Sequence, residues 1–235
     1  MVNNLFSVND DNFIGAFLYG SQNYGLATKD SDVDVIAIVN TAEKPSKELK
    51  MPNGKVKIYT IEHFLSRLRH GDLECYEALC TKYRAVNQSY ETLFDGFAKE
   101  LFACLNYDII RRSLAKKLDE HLSHVLWILR RNDPSRYNKK RLYWAIRVYN
   151  QLQRINNGEN FETSLVYKPY NEHDLIKIKS ITNYLTQKEL SQIIKEMTTY
   201  KNTSHVYPKA ITTAEERCMV SFYDNITKLG VDCEQ

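Results

Sequence analysis

Long apolar runs are missing from this 235-residue chain. With no stretch of 18 predominantly apolar residues, nothing in it reads as a membrane-spanning helix. The opening residues, Met-Val-Asn-Asn-Leu-Phe-Ser-Val-Asn-Asp-Asp, lack the basic start and apolar centre of a signal peptide. The five cysteines, Cys75, Cys80, Cys104, Cys218 and Cys233, are odd in number and form no C-x-x-C pair. They read as reduced thiols in a cytoplasmic protein, against a disulfide frame or a zinc ribbon. The Asn-x-Ser/Thr matches at Asn87, Asn202 and Asn225 then carry little meaning. No Walker A loop, Rossmann glycine fingerprint or Ser-His-Asp arrangement is present, nor any internal repeat, low-complexity tract or long linker. His121 and His124, three apart on a helical pattern, have no third partner in view and read as a surface or satisfied pair.

What remains is an ordinary globular composition, 43% hydrophobic and 26% charged, long enough for one substantial core or two small domains. The formal net charge of +3 is unevenly spread: residues 1–90 carry a net of −1 and residues 91–235 a net of +4. Arg130, Arg131, Arg136, Lys139, Lys140, Arg141 and Arg147 follow one another with only Asp133 between them. Such a patch suits a phosphate-bearing partner but falls short of a dedicated duplex-DNA binder. A solvated helix end explains it equally well.

Residues 1–85 alternate between strand and helix patterns. A helix is indicated around Asn4–Phe13, then strands over Gly15–Tyr19 and Val33–Val39, a polar loop or short crossover over Thr41–Asn53, and a strand at Val56–Tyr59 after the Asn53-Gly54 turn. Thr60 caps a helix with Phe64, Leu65 and Leu68 as its apolar stripe; Gly71-Asp72 breaks it, and Leu73–Leu79 begins another. Beyond Tyr90 the pattern is helical. Ile110, Leu114, Leu118, Leu122, Val125, Leu126 and Leu129 recur at i+3/i+4 over Tyr107–Arg131. Further helices fit a segment from about Pro134 or Tyr137 to Ile155, then Asn171–Ser180, Thr186–Thr198 and Thr212–Leu229, the last capped by Gly230. The expected fold is α+β: an α/β domain over 1–88 with a mixed sheet and flanking helices, followed by a helical bundle over 89–235.

The chemistry concentrates in Gly20–Val35. A small-residue turn joins two strands, and the second strand opens with aspartates two apart. Residues i and i+2 of a strand share a face, so Asp32 and Asp34 should project side by side. Neighbouring carboxylates repel unless a cation lies between them, and a hard oxygen pair suits Mg²⁺ (or Mn²⁺) held jointly with substrate phosphates. Gly20 has no Cβ to block an approaching phosphate, and Ser21 adds a hydroxyl. A surface turn rich in Asp and Ser is the plain alternative. On the helix over 138–155, Leu142, Ala145, Ile146, Tyr149 and Leu152 fall on one side and Lys140, Trp144, Arg147, Gln151 and Arg154 on the other. Trp144 among cations either stacks a nucleobase beside phosphate contacts or packs against the first domain while the charges are solvated.

The string Gly-Ser-x-x-Tyr-Gly-Leu-Ala-Thr-x-Asp-Ser-Asp-x-Asp over residues 20–34 resembles the DNA polymerase beta-type nucleotidyltransferase superfamily. It looks most like the small bacterial and phage proteins described as RNA-ligase-associated and poly(A)-polymerase-like. The resemblance implies transfer of a nucleoside monophosphate from an NTP to a hydroxyl on RNA, protein or a small molecule. Gly20, Ser21 and Tyr24 would bind the nucleotide, and Asp32 and Asp34 would be catalytic metal ligands. Looser similarity places Lys140 (or Lys139) and Arg147 at phosphate contacts, Trp144 or a neighbour where the family has His, and Glu77 on a recurrent glutamate. The family's usual third carboxylate falls on a strand that here reads Lys55-Val56-Lys57-Ile58-Tyr59. Glu62, Glu74 and Glu77 are its candidate substitutes, and a non-catalytic nucleotide- or RNA-binding protein, antitoxin-like or anti-defence, is the alternative function.

Overall fold

The computed structural model describes residues 12–27, 29, 31–41, 47–130, 139–166, 192, 194–199 and 210–232. The chain divides into two compact units, residues 1–109 with 209–235, and residues 110–208.

The first unit is built on strands β1 (Phe13–Tyr19), β2 (Val33–Val39), β3 (Lys47–Met51), β4 (Gly54–Thr60) and β5 (Arg84–Val86). They form one mixed sheet in the order β3-β4-β2-β1-β5, with β2 and β4 parallel and the other pairs antiparallel. Period-two alternation decides which side chains meet. Ala16, Val35, Ala37 and Val56 share a face with Leu18, Val33, Leu49, Met51 and Ile58. Phe17 points to the other face and stacks on Phe94 at 4.4 Å between ring centroids. The register shift between Phe13 and Gly15 lets Phe13 join Ala16 despite the odd spacing.

Helices α1 (Ile61–Arg69), α2 (Leu73–Cys80) and α3 (Glu91–Ala103) follow. The Thr60 hydroxyl caps α1 by accepting from the His63 N–H, and Asp72 caps α2 by accepting from Glu74. The C-terminal helix, α7 (Thr213–Asp232), packs on α3, with Phe222 stacked on Phe97 at 4.0 Å. Its start is a capping box: Glu215 accepts from the Thr212 N–H and hydroxyl, and returns its own N–H to the Thr212 oxygen. The same fully buried carboxylate accepts from Asn106, fixing the turn before α4 (Tyr107–Arg130).

The second unit comprises most of α4 with α5 (Lys139–Asn156) and α6 (Phe161–Leu165). Its core includes the expected stripe Ile110, Leu114, Leu118, Leu122 and Val125, all essentially inaccessible. On the polar side of α5, Arg147, Gln151 and Arg154 are buried. Arg154 closes the α5–α6 connection by pairing with Glu159 and donating to the carbonyls of Thr163, Ser164 and Val166.

Two expectations need correction, and one strand goes beyond them. Lys47–Met51, expected as loop, is a strand whose only apolar residues are Leu49 and Met51; its charged remainder suits a sheet edge. Arg84–Val86 is too short to show a period and forms only by pairing with Gly15–Phe17. Gly230, expected to cap the last helix, lies inside it. The helix expected at Asn4–Phe13 lies outside the described residues except for Asn12 and Phe13, and Phe13 opens β1. The Asn171–Ser180 segment lies outside them too, and of Thr186–Thr198 only residue 192 and residues 194–198 are described, all helical.

Phe94 is fully buried between Phe17 and Phe222. Phe94→Ala is expected to lower the unfolding free energy by about 3–5 kcal/mol, read as a drop in the urea midpoint.

Candidate functional site

The turn after β1 is shaped by its own side chains. Gly20 has φ +87°, a backbone region that residues with a Cβ enter at a cost. Its N–H donates to Glu77 Oε2 at 3.2 Å, reaching across from α2. The other oxygen of that carboxylate accepts from the Tyr24 hydroxyl. Glu77 is 2% exposed and Tyr24 3%, so the bonds form where water does not compete. Asn23 donates from its side chain to the Leu18 carbonyl and accepts from the Thr81 hydroxyl at 2.8 Å. Buried Leu26 returns its N–H to the Ser21 carbonyl. The tyrosine and leucine of the motif are therefore anchors that hold Gly20 and Ser21 in place. Tyr24, expected to bind nucleotide, is buried and donates its hydroxyl to Glu77.

Asp34 stands in β2 between Tyr19 of β1 and Lys55 of β4. A Cβ built on Gly20 would sit 3.8 Å from Asp34 Oδ2, so the bare α-carbon of the turn faces that carboxylate directly. Asp32 is exposed, two residues earlier, and its charge reaches Asp34. Gly54 (φ +144°) permits the approach of β4 to β2 at this level, since a Cβ there would fall 2.0 Å from the Val33 carbonyl oxygen. The sheet thus brings the Gly-Ser turn and the aspartate of β2 to one end of the molecule's first unit.

Burial pushes the Asp34 carboxyl above the usual carboxylate range. Asp32 and Glu74 push the same way, while Lys55 and Lys57 oppose them. Glu74 comes from α2 and pairs with Lys57, whose ammonium lies 5.4 Å from the Tyr19 ring centre. Lys55 lies 4.0 Å from Glu48. The Tyr19 hydroxyl is buried without a hydrogen-bond partner, and its ionisation is strongly disfavoured, first by burial. Sequence reasoning missed Tyr19 and the Lys57–Glu74 pair, because no local spacing links residues 17 apart.

Among the described residues no three His, Cys, Asp or Glu side chains gather closely enough to hold a metal on their own. None of the three glutamates considered as a third carboxylate joins Asp32 and Asp34 as a ligand set. Glu77 holds the turn, Glu74 pairs with Lys57, and Glu62 accepts from the Tyr223 hydroxyl. Two carboxylates fit a divalent cation that completes its shell with phosphate oxygens and water. The open approach at Gly20 fits that arrangement.

The remaining expected residues lie in the second unit. Trp144 stacks with His121 at 6.3 Å, and the Arg147 guanidinium covers its ring at 4.9 Å. Arg147 also donates to Gln151. The reading in which these charges are solvated does not hold for Arg147. Lys140 falls in the first turn of α5.

The model of the nucleotidyltransferase domain family matches residues 7–86, the stretch that carries the turn, both aspartates and Glu77. No curated protein matches the chain.

Removing the hydroxyl in Tyr24→Phe leaves the buried Glu77 carboxylate one donor short. A loss of about 1–3 kcal/mol is expected in chemical denaturation, with no change in far-UV circular dichroism. Asp34→Asn should act oppositely. A carboxyl whose folded pKa is raised costs stability once ionised, so the amide should raise the melting temperature by about 1–3 °C near pH 7. That gain should shrink as pH falls toward the ordinary carboxylate value, about 3.9. Thermal melts across that range check it.

Proposed function

We propose that residues 7–86, which match the nucleotidyltransferase domain model, work as such a domain, and that this protein moves a nucleoside monophosphate from an NTP to a hydroxyl acceptor. The observation that carries the proposal is the Asp34 carboxylate facing the bare Gly20 α-carbon. Asp32 and Asp34 would hold Mg²⁺ or Mn²⁺. Bound there, the cation neutralises the triphosphate and the charge that develops on the leaving oxygen.

The chain's own residues do the rest. Gly20 leaves room for the phosphates, and Ser21 offers a hydroxyl beside them. Glu77 and Tyr24 keep that turn from relaxing away from β2. The acceptor hydroxyl attacks the α-phosphorus in line, its proton passing to solvent, as the bond to pyrophosphate breaks and pyrophosphate leaves with the electron pair.

A specific observation favours a second reading, nucleotide binding without transfer. The strand beside Asp34 presents Lys55 and Lys57 in place of an acid. An acceptor hydroxyl therefore lacks the carboxylate that would draw off its proton.

Incubation with each α-labelled NTP, Mg²⁺ and a pool of RNA, protein and small-molecule hydroxyls separates the two. Transfer of label with release of pyrophosphate, falling about 10²–10³-fold in Asp32→Ala and Asp34→Ala, is the expected result. Magnesium-dependent binding with no pyrophosphate from any acceptor would replace transfer by the binding reading.

A further inference from the structure

The second unit gathers cations and aromatic rings at one place on α4 and α5. Arg141 Nη1 donates to His121 Nδ1 at 3.2 Å. The His121 ring lies nearly parallel to Trp144, 6.3 Å and 19° apart, and Arg147 covers the Trp144 ring. One turn along α4, His124 lies against Trp127 at 6.1 Å and 22°. Trp127 is 44% exposed, unusual for the largest apolar side chain.

The electrostatics point the same way. Besides burial, the charges acting most strongly on His121 are Arg141, Lys117, Arg147 and His124, all pushing its pKa down, to about 4. At neutral pH His121 is therefore an uncharged acceptor for Arg141, and Lys117, Arg141 and Arg147 are crowded cations. A cluster of like charges with flat rings between them complements alternating phosphates and bases.

We propose that this α4–α5 face binds a single-stranded nucleic-acid segment, with Trp127 stacking a base and Arg141 and Lys117 meeting the phosphates. Arg147 acts as a positioning residue: nearly buried, it holds the Trp144 plane and adds to the positive potential. On the transferase reading of the first unit, on which this step rests, such a strand is the acceptor.

The chain's two tryptophans are Trp127 and Trp144, so tryptophan fluorescence, excited beyond the tyrosine band, reports on this face alone. The full chain, in EDTA and without NTP, is titrated with a roughly 12-nucleotide oligoadenylate as RNA and as DNA. Quenching by either strand is expected, weakening with salt at about 0.7 log units per phosphate contact. Anisotropy of a labelled strand should show about tenfold weaker binding for Trp127→Ala, near-native binding for Trp127→Phe, and a salt slope reduced by about 0.7 for Arg141→Ala. Circular dichroism checks that each variant folds, and Arg141→Ala keeps the test decisive if Trp127→Ala does not. Quenching by RNA alone supports the proposal with an RNA strand as ligand. Absence of quenching by both strands at low salt, or equal quenching by ATP alone, overturns it. Strand binding that persists while label transfer fails would overturn only the transferase reading, because this titration uses neither NTP nor metal.

Discussion

The candidate site depends on one buried carboxylate. Glu77 accepts from the Gly20 backbone and from the Tyr24 hydroxyl, in a position where only 2% of the residue meets water. A carboxyl so placed is tolerated when donors meet it, and it then fixes those donors tightly. The consequence is a turn whose left-handed glycine is held against Asp34 by α2, an element separated in sequence from both strands. Anchoring from outside the motif explains why Tyr24 and Leu26, buried side chains, occur inside a stretch that otherwise reads as loop chemistry.

A second constraint is the balance of charge around Asp34. Burial and the acids Asp32 and Glu74 disfavour its ionised form, and Lys55 and Lys57 only partly offset them. The carboxylate is therefore held in a state that a cation would relieve, a local destabilisation typical of groups kept for function. The lysines of β4 give this strand a different role from the acidic one the family resemblance implies. Lys57 pairs with Glu74 and lies over Tyr19, so the strand is tied to α2 by charge.

Much of this was legible along the chain. The strands expected over Gly15–Tyr19 and Val33–Val39, the Thr60 cap and the long α4 stripe follow from periodicity and local capping, which need no partner to be seen. The edge strand β3 was not legible, because two apolar residues among charges fit a loop equally well. Arg147, Gln151 and Arg154 looked like a solvated stripe by helical wheel, yet they are buried. A wheel counts polarity but cannot see that Glu159 and the carbonyls of α6 lie in reach of Arg154.

Local spacing alone determined that a Gly-Ser turn is followed by two aspartates on one strand face, since the two-residue period of a strand is a property of the backbone. It also determined that the acidic and basic halves differ in charge. Only tertiary structure decided that Glu77 anchors the turn, that Glu74 answers Lys57, and that α7 packs on α3 within the first unit. It likewise decided that His121, Trp144, Arg141 and Arg147 meet on two helices. These are contacts between residues tens of positions apart, and their energies come from burial and desolvation, quantities a linear chain does not possess until it is packed.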